Sequence, residues 1–285
     1  MNPITGKRNL RQFPQLLARY LETSIEYKIS TSKKKGHAKE LATEARNKNE
    51  YNTVVAVGGD GTVNEVGSQL IGSDINLGII PNGSGNGLAR ELGIPINMIK
   101  AICLLNSGNT KRIDVGMVNN QPFFCTAGVG FDAHIGKLFA QSKARGLSTY
   151  IQKIISAYWK YAPAEYYISD NDSKRDKHKA FAITLANAKQ YGNNAYIAPD
   201  AIITDGKLDL CIVKPFPRYK MLALGSRLLM GNINQSTFYK SWKIEKVKIE
   251  NAHADCFHID GTHFPLTDGK LEFEILAKAL NVMVP

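Results

Sequence analysis

The segment Val54-Val55-Ala56-Val57-Gly58-Gly59-Asp60-Gly61-Thr62-Val63-Asn64-Glu65-Val66 constrains this chain more than any other. An apolar, β-branched run suited to one buried strand passes straight into three glycines around an aspartate, and a helix-compatible stretch follows at once. Glycines permit positive φ and let a phosphate approach the backbone, while a helix start offers free N–H groups and the positive end of its dipole. Such a turn suits an anionic ligand. Thr62 and Glu65 also have the spacing of a capping box that only starts the helix. Capping accounts for neither the three glycines nor the acidic residue among them.

The pattern recurs in Leu77-Gly78-Ile79-Ile80-Pro81-Asn82-Gly83-Ser84-Gly85-Asn86-Gly87, again a buried strand ending in a glycine-rich turn. Ser84 is suited to donate to a phosphate, and Asn86 to a ribose, a phosphate or the main chain. Two such loops at the ends of neighbouring parallel strands converge on one crevice, where open α/β sheets bind ligands. Neither loop fits G-x-x-x-x-G-K-[ST] or G-x-G-x-x-G, and no protein-kinase signature is present.

Helical and strand-like segments alternate through the first third: helix over 10–23, strand over 25–31, helix over 36–48, strand over 53–57, helix over 62–70, strand over 77–80. That is βαβ rhythm, and it implies a largely parallel sheet. Such a sheet ordinarily opens with an apolar strand, whereas this sequence starts at the turn that should follow one, so the first strand is expected to be missing. From about residue 111 the texture shifts to short apolar runs at 122–129, 179–187, 208–213, 242–250 and 271–276, interrupted by helices near 148–161 and 218–230. These predict an antiparallel β-domain. At 285 residues two domains are expected, 1–112 and 113–285.

The net charge of +11 admits nucleic acid, an anionic membrane or phosphorylated small molecules as partners, and does not choose among them. A nucleic-acid role has nothing but this charge behind it. No run approaches the length of a bilayer span and the start lacks a secretory apolar core, so a cytoplasmic protein is expected. The four cysteines form no CxxC pair, and His253, His258 and His263 match no zinc spacing.

The glycine loops also carry a resemblance. Val57 to Glu65 resembles the GGDGT nucleotide loop of the diacylglycerol kinase and sphingosine kinase catalytic domain, and Pro81 to Asn86 resembles its second loop, with Gly87 where many bacterial members carry Asp. The turn Asn2-Pro3-Ile4-Thr5-Gly6, Gly36-His37-Ala38, Gly130-Phe131-Asp132-Ala133, Arg145-Gly146 with Thr149-Tyr150, and Ala198-Pro199-Asp200-Ala201 with Asp205 to Asp209 follow in the family's order. The resemblance implies an α/β nucleotide-binding domain related to NAD kinase and phosphofructokinase, then an antiparallel β-sandwich domain, with the active site in the cleft between them. It implies a lipid kinase using ATP and Mg²⁺ on a lipid hydroxyl, of diacylglycerol or sphingoid-base type, at a membrane surface to which the protein binds peripherally. A homodimer is left open.

The ATP contacts implied by the resemblance are Asn2, Thr5, Gly6, Ser32, Gly58, Gly59, Asp60, Gly61, Thr62, Asn64, Glu65, Gly83, Ser84 and Asn86. The implied catalytic positions are Asp60, Asp260 and Thr262, and Thr262 stands where the late Asp-Gly-Glu motif has glutamate. A threonine neither chelates like a carboxylate nor acts as a base at neutral pH. A catalytically weakened binding protein of the same fold is therefore one alternative, and a kinase for a soluble acceptor such as NAD, on the strength of the shared GGDG loop, is another. A structural Mg²⁺ on Asp205 and the carbonyls of Ile202 and Lys207 is implied by resemblance alone; from the residues, Asp205-Gly206 reads as a hairpin turn.

Overall fold

The computed structural model describes residues 1, 10–140, 156–170, 175–251 and 254–285. The chain forms two compact units, Met1–Val115 with Ala277–Pro285, and Gly116–Leu276. The break lies close to the expected 112/113 boundary, but the last nine residues return to the first unit.

In the first unit α1 (Phe13–Tyr20) follows a 3₁₀ turn and carries Pro14 in its opening turn, where a missing N–H costs nothing. Next come α2 (His37–Lys48), β1 (Thr53–Gly58), α3 (Asp60–Leu70), β2 (Asn76–Pro81), α4 (Gly87–Glu91) and α5 (Met98–Leu104). Strands β1 and β2 pair in parallel over their whole length, from Thr53 opposite Asn76 to Gly58 opposite Pro81. Both glycine turns therefore leave the same end of the sheet. On its far side β2 pairs in parallel with the chain's last strand, Val282 lying opposite Leu77.

The expected strand at 25–31 does not form. The other edge of β1 faces a cavity of about 1050 Å³ lined by Phe13, Leu17, Tyr27, Ala42, Val55 and Val57 among others. The 25–31 segment forms no ladder among the described residues and lines the same cavity; Met1 donates its terminal ammonium to the Ser30 carbonyl at 2.8 Å, and Ser32 donates its amide to the Met1 carbonyl at 2.9 Å.

The second unit contains two antiparallel sheets. One joins the start of β14 (Lys270–Met283) to β11 (Lys246–Glu250), β6 (Ala164–Asp170) and β7 (Asp176–Ala180), with β4 (Gln121–Phe123) on the end of β3 (Thr110–Val118). The other runs β10 (Tyr239–Ile244), β9 (Leu208–Val213), β8 (Ala182–Ala186), β5 (Thr126–Gly130), β12 (Cys256–Ile259) and β13 (Thr262–Pro265). Their inner faces share one core, which holds Phe123, Phe273, Ile183, Leu208 and Val247, each fully buried. Helix α6 (Phe131–Ala140) leaves the end of β5.

Three apolar runs that read as single strands are corners between these sheets. The run 122–129 breaks at Phe124 and Cys125, the run 179–187 at Phe181, and the run 242–250 at Glu245. A corner keeps the period-two alternation on both sides, so hydropathy alone does not mark it. Among the described residues no helix is long and apolar enough to cross a membrane.

Phe123 and Phe273 meet edge to face at 6.4 Å in the shared core. Phe123→Ala is expected to cost the second unit about 3–5 kcal/mol, read as a lower urea midpoint.

Candidate active site

The two glycine turns are in contact through their backbones. A Cβ placed on Gly83 would lie 2.5 Å from the Gly59 Cα, and one on Gly85 would lie 2.7 Å from Asp60 Oδ2. Only glycine allows that approach. Across this seam the Asp60 carboxylate accepts the Asn86 amide at 2.8 Å and the Gly87 amide at 2.6 Å, which are the first amides of α4. Asp60 therefore ties the start of α3 to the start of α4, with its negative charge against the positive end of a helix. Asn86, at φ 52°, closes the second loop on itself: its Oδ1 accepts from the Gly83 amide at 3.0 Å and its Nδ2 donates to the Gly83 carbonyl at 2.9 Å.

This changes the sequence reading of the cradle. The amides of Gly83, Asn86 and Gly87 are taken by protein groups, so they do not cradle a phosphate here. The amides of Gly61, Ser84 and Gly85 have no acceptor among the described residues. Gly61 and Ser84 are exposed, and Gly59 and Asp60 are half-buried. The expected capping box is also absent: α3 is capped by Gly59 without a side-chain bond, and Glu65 accepts the Gly36 amide at 3.0 Å, fixing the entry to α2. Thr62 is buried with its side chain over Gly58. Ser32 is buried and donates its hydroxyl to the Met1 carbonyl, and Asn64 lies half-buried on α3. Asn2, Thr5 and Gly6 lie outside the described residues, as do Arg145, Gly146, Thr149, Tyr150 and His253.

Sequence reasoning passed over Asn82. It is buried at the end of β2, directly before Gly83, and both polar atoms of its side-chain amide lack a partner among the described residues. A buried amide left unpaired costs about 1–3 kcal/mol, which is repaid where a ligand completes it. Its sequence signals were a polar residue directly after an apolar strand and its place in the Pro81 to Asn86 loop.

In the second unit Asp260 and Gly261, at φ 46° and 76°, form the two-residue turn between β12 and β13. The Asp260 carboxylate accepts the amides of Phe124, Cys125 and Thr126 at 3.0, 2.8 and 3.2 Å. It thereby satisfies the backbone where the 122–129 run turns its corner. Thr262 begins β13, half-buried, opposite Ile259. Two residues before the turn, buried His258 meets Asp132 with its Nε2 3.0 Å from Oδ2, an oxygen that also accepts from Thr184 Oγ1 at 2.8 Å and Tyr191 OH at 3.1 Å. Burial, reinforced by the Asp132 charge, holds the Tyr191 phenol well above its ordinary value and keeps it a donor.

The Ile202, Asp205 and Lys207 triplet does not fit a structural divalent cation. The Lys243 ammonium pairs with the Asp205 carboxylate and lies 3.7 Å from Asp209, so a positive charge already stands at the turn. The Ile202 carbonyl accepts the Asp205 amide at 3.3 Å, and Asp205 Oδ1 accepts the Lys207 amide at 3.1 Å, as in a plain turn. Among the described residues no cluster of His, Cys, Asp or Glu is placed to hold a metal ion.

Residues 1–118 match the model of the diacylglycerol kinase catalytic domain, and residues 125–284 match that of the YegS C-terminal NAD kinase beta sandwich-like domain. A Pseudomonas aeruginosa protein named "Probable lipid kinase YegS-like" is 30% identical over 93% of this chain and 86% of its own. A Bacillus subtilis protein named "Diacylglycerol kinase" is 29% identical over 100% of this chain and 94% of its own. Among solved structures, a putative diacylglycerol kinase from Bacillus anthracis superposes with a TM-score of 0.78 at 22% identity, covering 100% of this chain and 95% of that one. An NAD kinase from Archaeoglobus fulgidus in complex with ATP superposes with a TM-score of 0.53 at 13% identity, covering 99% of this chain and 91% of that one. Both structural likenesses concern the fold.

Asp60→Ala removes the acceptor of two helix-start amides and is expected to lower stability by about 2–4 kcal/mol in urea unfolding, with Asp60→Asn costing less. The unfolding midpoint is expected to be the same in EDTA as in millimolar Mg²⁺, whereas Lys243→Ala lowers it in either buffer. A midpoint that falls in EDTA would restore the cation to the Asp205 turn.

Proposed function

The chain belongs to the diacylglycerol kinase catalytic-domain family, and from that premise we propose that it transfers the γ-phosphoryl group of ATP to a lipid hydroxyl, of diacylglycerol or sphingoid-base type. The observation that carries this reading is the Asp60-clamped seam between the two glycine turns. It leaves the amides of Gly61, Ser84 and Gly85, the Ser84 hydroxyl and the Asn82 amide for a polyphosphate and its nucleoside. Donors fixed in place before the ligand arrives lose little entropy on binding it, and their dipoles suit the charge on the γ-phosphate.

ATP enters as its Mg²⁺ complex, and the ion supplies neutralisation of the phosphate charge. Phosphoryl transfer proceeds through a loose transition state in which alignment and charge stabilisation matter more than a strong base. The Asp60 carboxylate stands at the seam beside the open amides, a Cβ on Gly85 falling 2.7 Å from its Oδ2. We assign it the acceptor role for the hydroxyl proton, since Asp260 is engaged by three amides and Thr262 has no basic group.

Thr262 favours a second reading, a protein that binds nucleotide and lipid but turns over slowly. Both readings are separated by incubating the protein with γ-labelled ATP and a panel of long-chain alcohols in mixed micelles, with NAD as a soluble control. Labelled lipid is the expected product. ATP binding without any labelled lipid would sink the kinase reading, and labelled NADP⁺ would move it to a soluble acceptor. Thr262→Glu is expected to raise kcat about tenfold or more while KM for ATP is unchanged, the usual reach of a positioned acid or base; turnover found in this variant alone would establish the binding-protein reading.

A further inference from the structure

Helix Met221–Met230 is apolar on both faces, although only one of them has a partner within the fold. Leu224 is buried among Ile197, Ala201, Val213 and Ile233, and Leu228 packs against the same cluster. That inner face satisfies the core. Leu222, Leu229 and Met230, seven and eight residues apart on one side, are 78%, 61% and 73% exposed, and Tyr219 in the preceding turn is 80% exposed. Trp159 is 52% exposed and joins them through Arg218, whose guanidinium lies 5.0 Å over its ring. Five of the eight large apolar side chains exposed among the described residues thus fall in one patch.

The chain on either side of the helix carries charge of one sign, the exposed Asp200 near Asn234 being an acidic neighbour from elsewhere. Residues 210–244 contain no Asp or Glu, but they include Lys214, Arg218, Lys220 and Arg227, with Lys160 beside Trp159. Lys214, Arg218, Lys220 and Lys160 are exposed. Exposed Leu and Met on a helix, aromatic rings at its start and a basic surround are the features of a helix that lies in the interface of an anionic bilayer. A protein partner for such a patch would have to bring its own acidic rim, and a second copy of this chain would place these cations against each other.

We infer that helix Met221–Met230, with Trp159 and Tyr219, is the membrane-docking surface of this protein, seating Leu222, Leu229 and Met230 among the acyl chains of an anionic bilayer while Arg218 and Lys220 meet its headgroups. The inference deepens the lipid-kinase reading and rests on it for the choice of a bilayer as the occupant. Docking and catalysis are separable. Binding needs no ATP, and catalysis needs no bilayer when the acceptor is a short-chain diacylglycerol dissolved as monomer.

Sedimentation with sucrose-loaded vesicles, without ATP, tests the surface. The protein is expected to pellet with phosphatidylglycerol–phosphatidylcholine vesicles and to remain in the supernatant with phosphatidylcholine alone. Leu222→Asp combined with Met230→Asp is expected to reduce the partition coefficient at least about tenfold, and Arg218→Glu with Lys220→Glu to reduce it similarly and remove its salt dependence. All four positions are exposed, and an unchanged thermal midpoint checks that the variants fold. Activity on the dissolved short-chain acceptor should survive in both. Wild-type protein that ignores anionic vesicles, or apolar-face variants that pellet like wild type, would overturn the inference. So would a dimer in sedimentation velocity that Leu222→Asp with Met230→Asp converts to monomer, since the face would then belong to a second copy. Vesicle binding with no phosphorylation of either acceptor would sink the lipid-kinase reading and leave the docking surface standing.

Discussion

One carboxylate organises the candidate nucleotide site. Asp60 accepts the two leading amides of α4 across a seam where the Gly59 and Gly83 backbones touch, and the surrounding sequence follows from that contact. A side chain at Gly83 would meet the Gly59 Cα, and one at Gly85 would meet the carboxylate itself. Asn86 adopts a left-handed conformation to present its amide to Asp60 while its side chain fixes Gly83. The positive end of a short helix offsets the charge of the aspartate, which favours a carboxylate among these backbone groups. What remains for a ligand is a small set of amides at the rim of the seam, held by bonds that do not depend on the ligand.

The second unit uses the same device elsewhere. Asp260 holds three amides where a strand leaves one sheet for the other, and the turn that carries it positions Thr262 at the start of β13. Lys243 pairs with the Asp205 carboxylate at the turn before β9. Asp132 gathers a threonine, a tyrosine and a histidine into a buried cluster between α6, β8 and β12. In each case an acidic residue that looks like chemistry in the sequence serves first to satisfy neighbouring donors, because buried donors without acceptors are costly.

Much of this was legible in advance. The order of β1, α3 and β2, the two glycine turns at one end of a parallel pair, and the change to antiparallel structure near residue 111 all follow from periodicity and glycine placement. The failures have particular causes. The 25–31 segment has strand-like composition but pairs with no strand among the described residues, and strand formation is a property of two segments. The runs 122–129, 179–187 and 242–250 keep strand periodicity through their corners, so the places where they break are set by what packs on either side.

The sequence by itself determined the elements, their order and the residues able to approach closely, because steric permission at glycine and alternation of apolar residues are local properties. Tertiary structure alone decided the partners of each polar group. Asp60 is joined to residues 26 and 27 positions away, Asp260 to residues more than 130 positions away, and Asn82 is left with none among the described residues. Hydrogen bonds are short and directional, so which donor meets which acceptor depends on distances that exist only once the chain has folded.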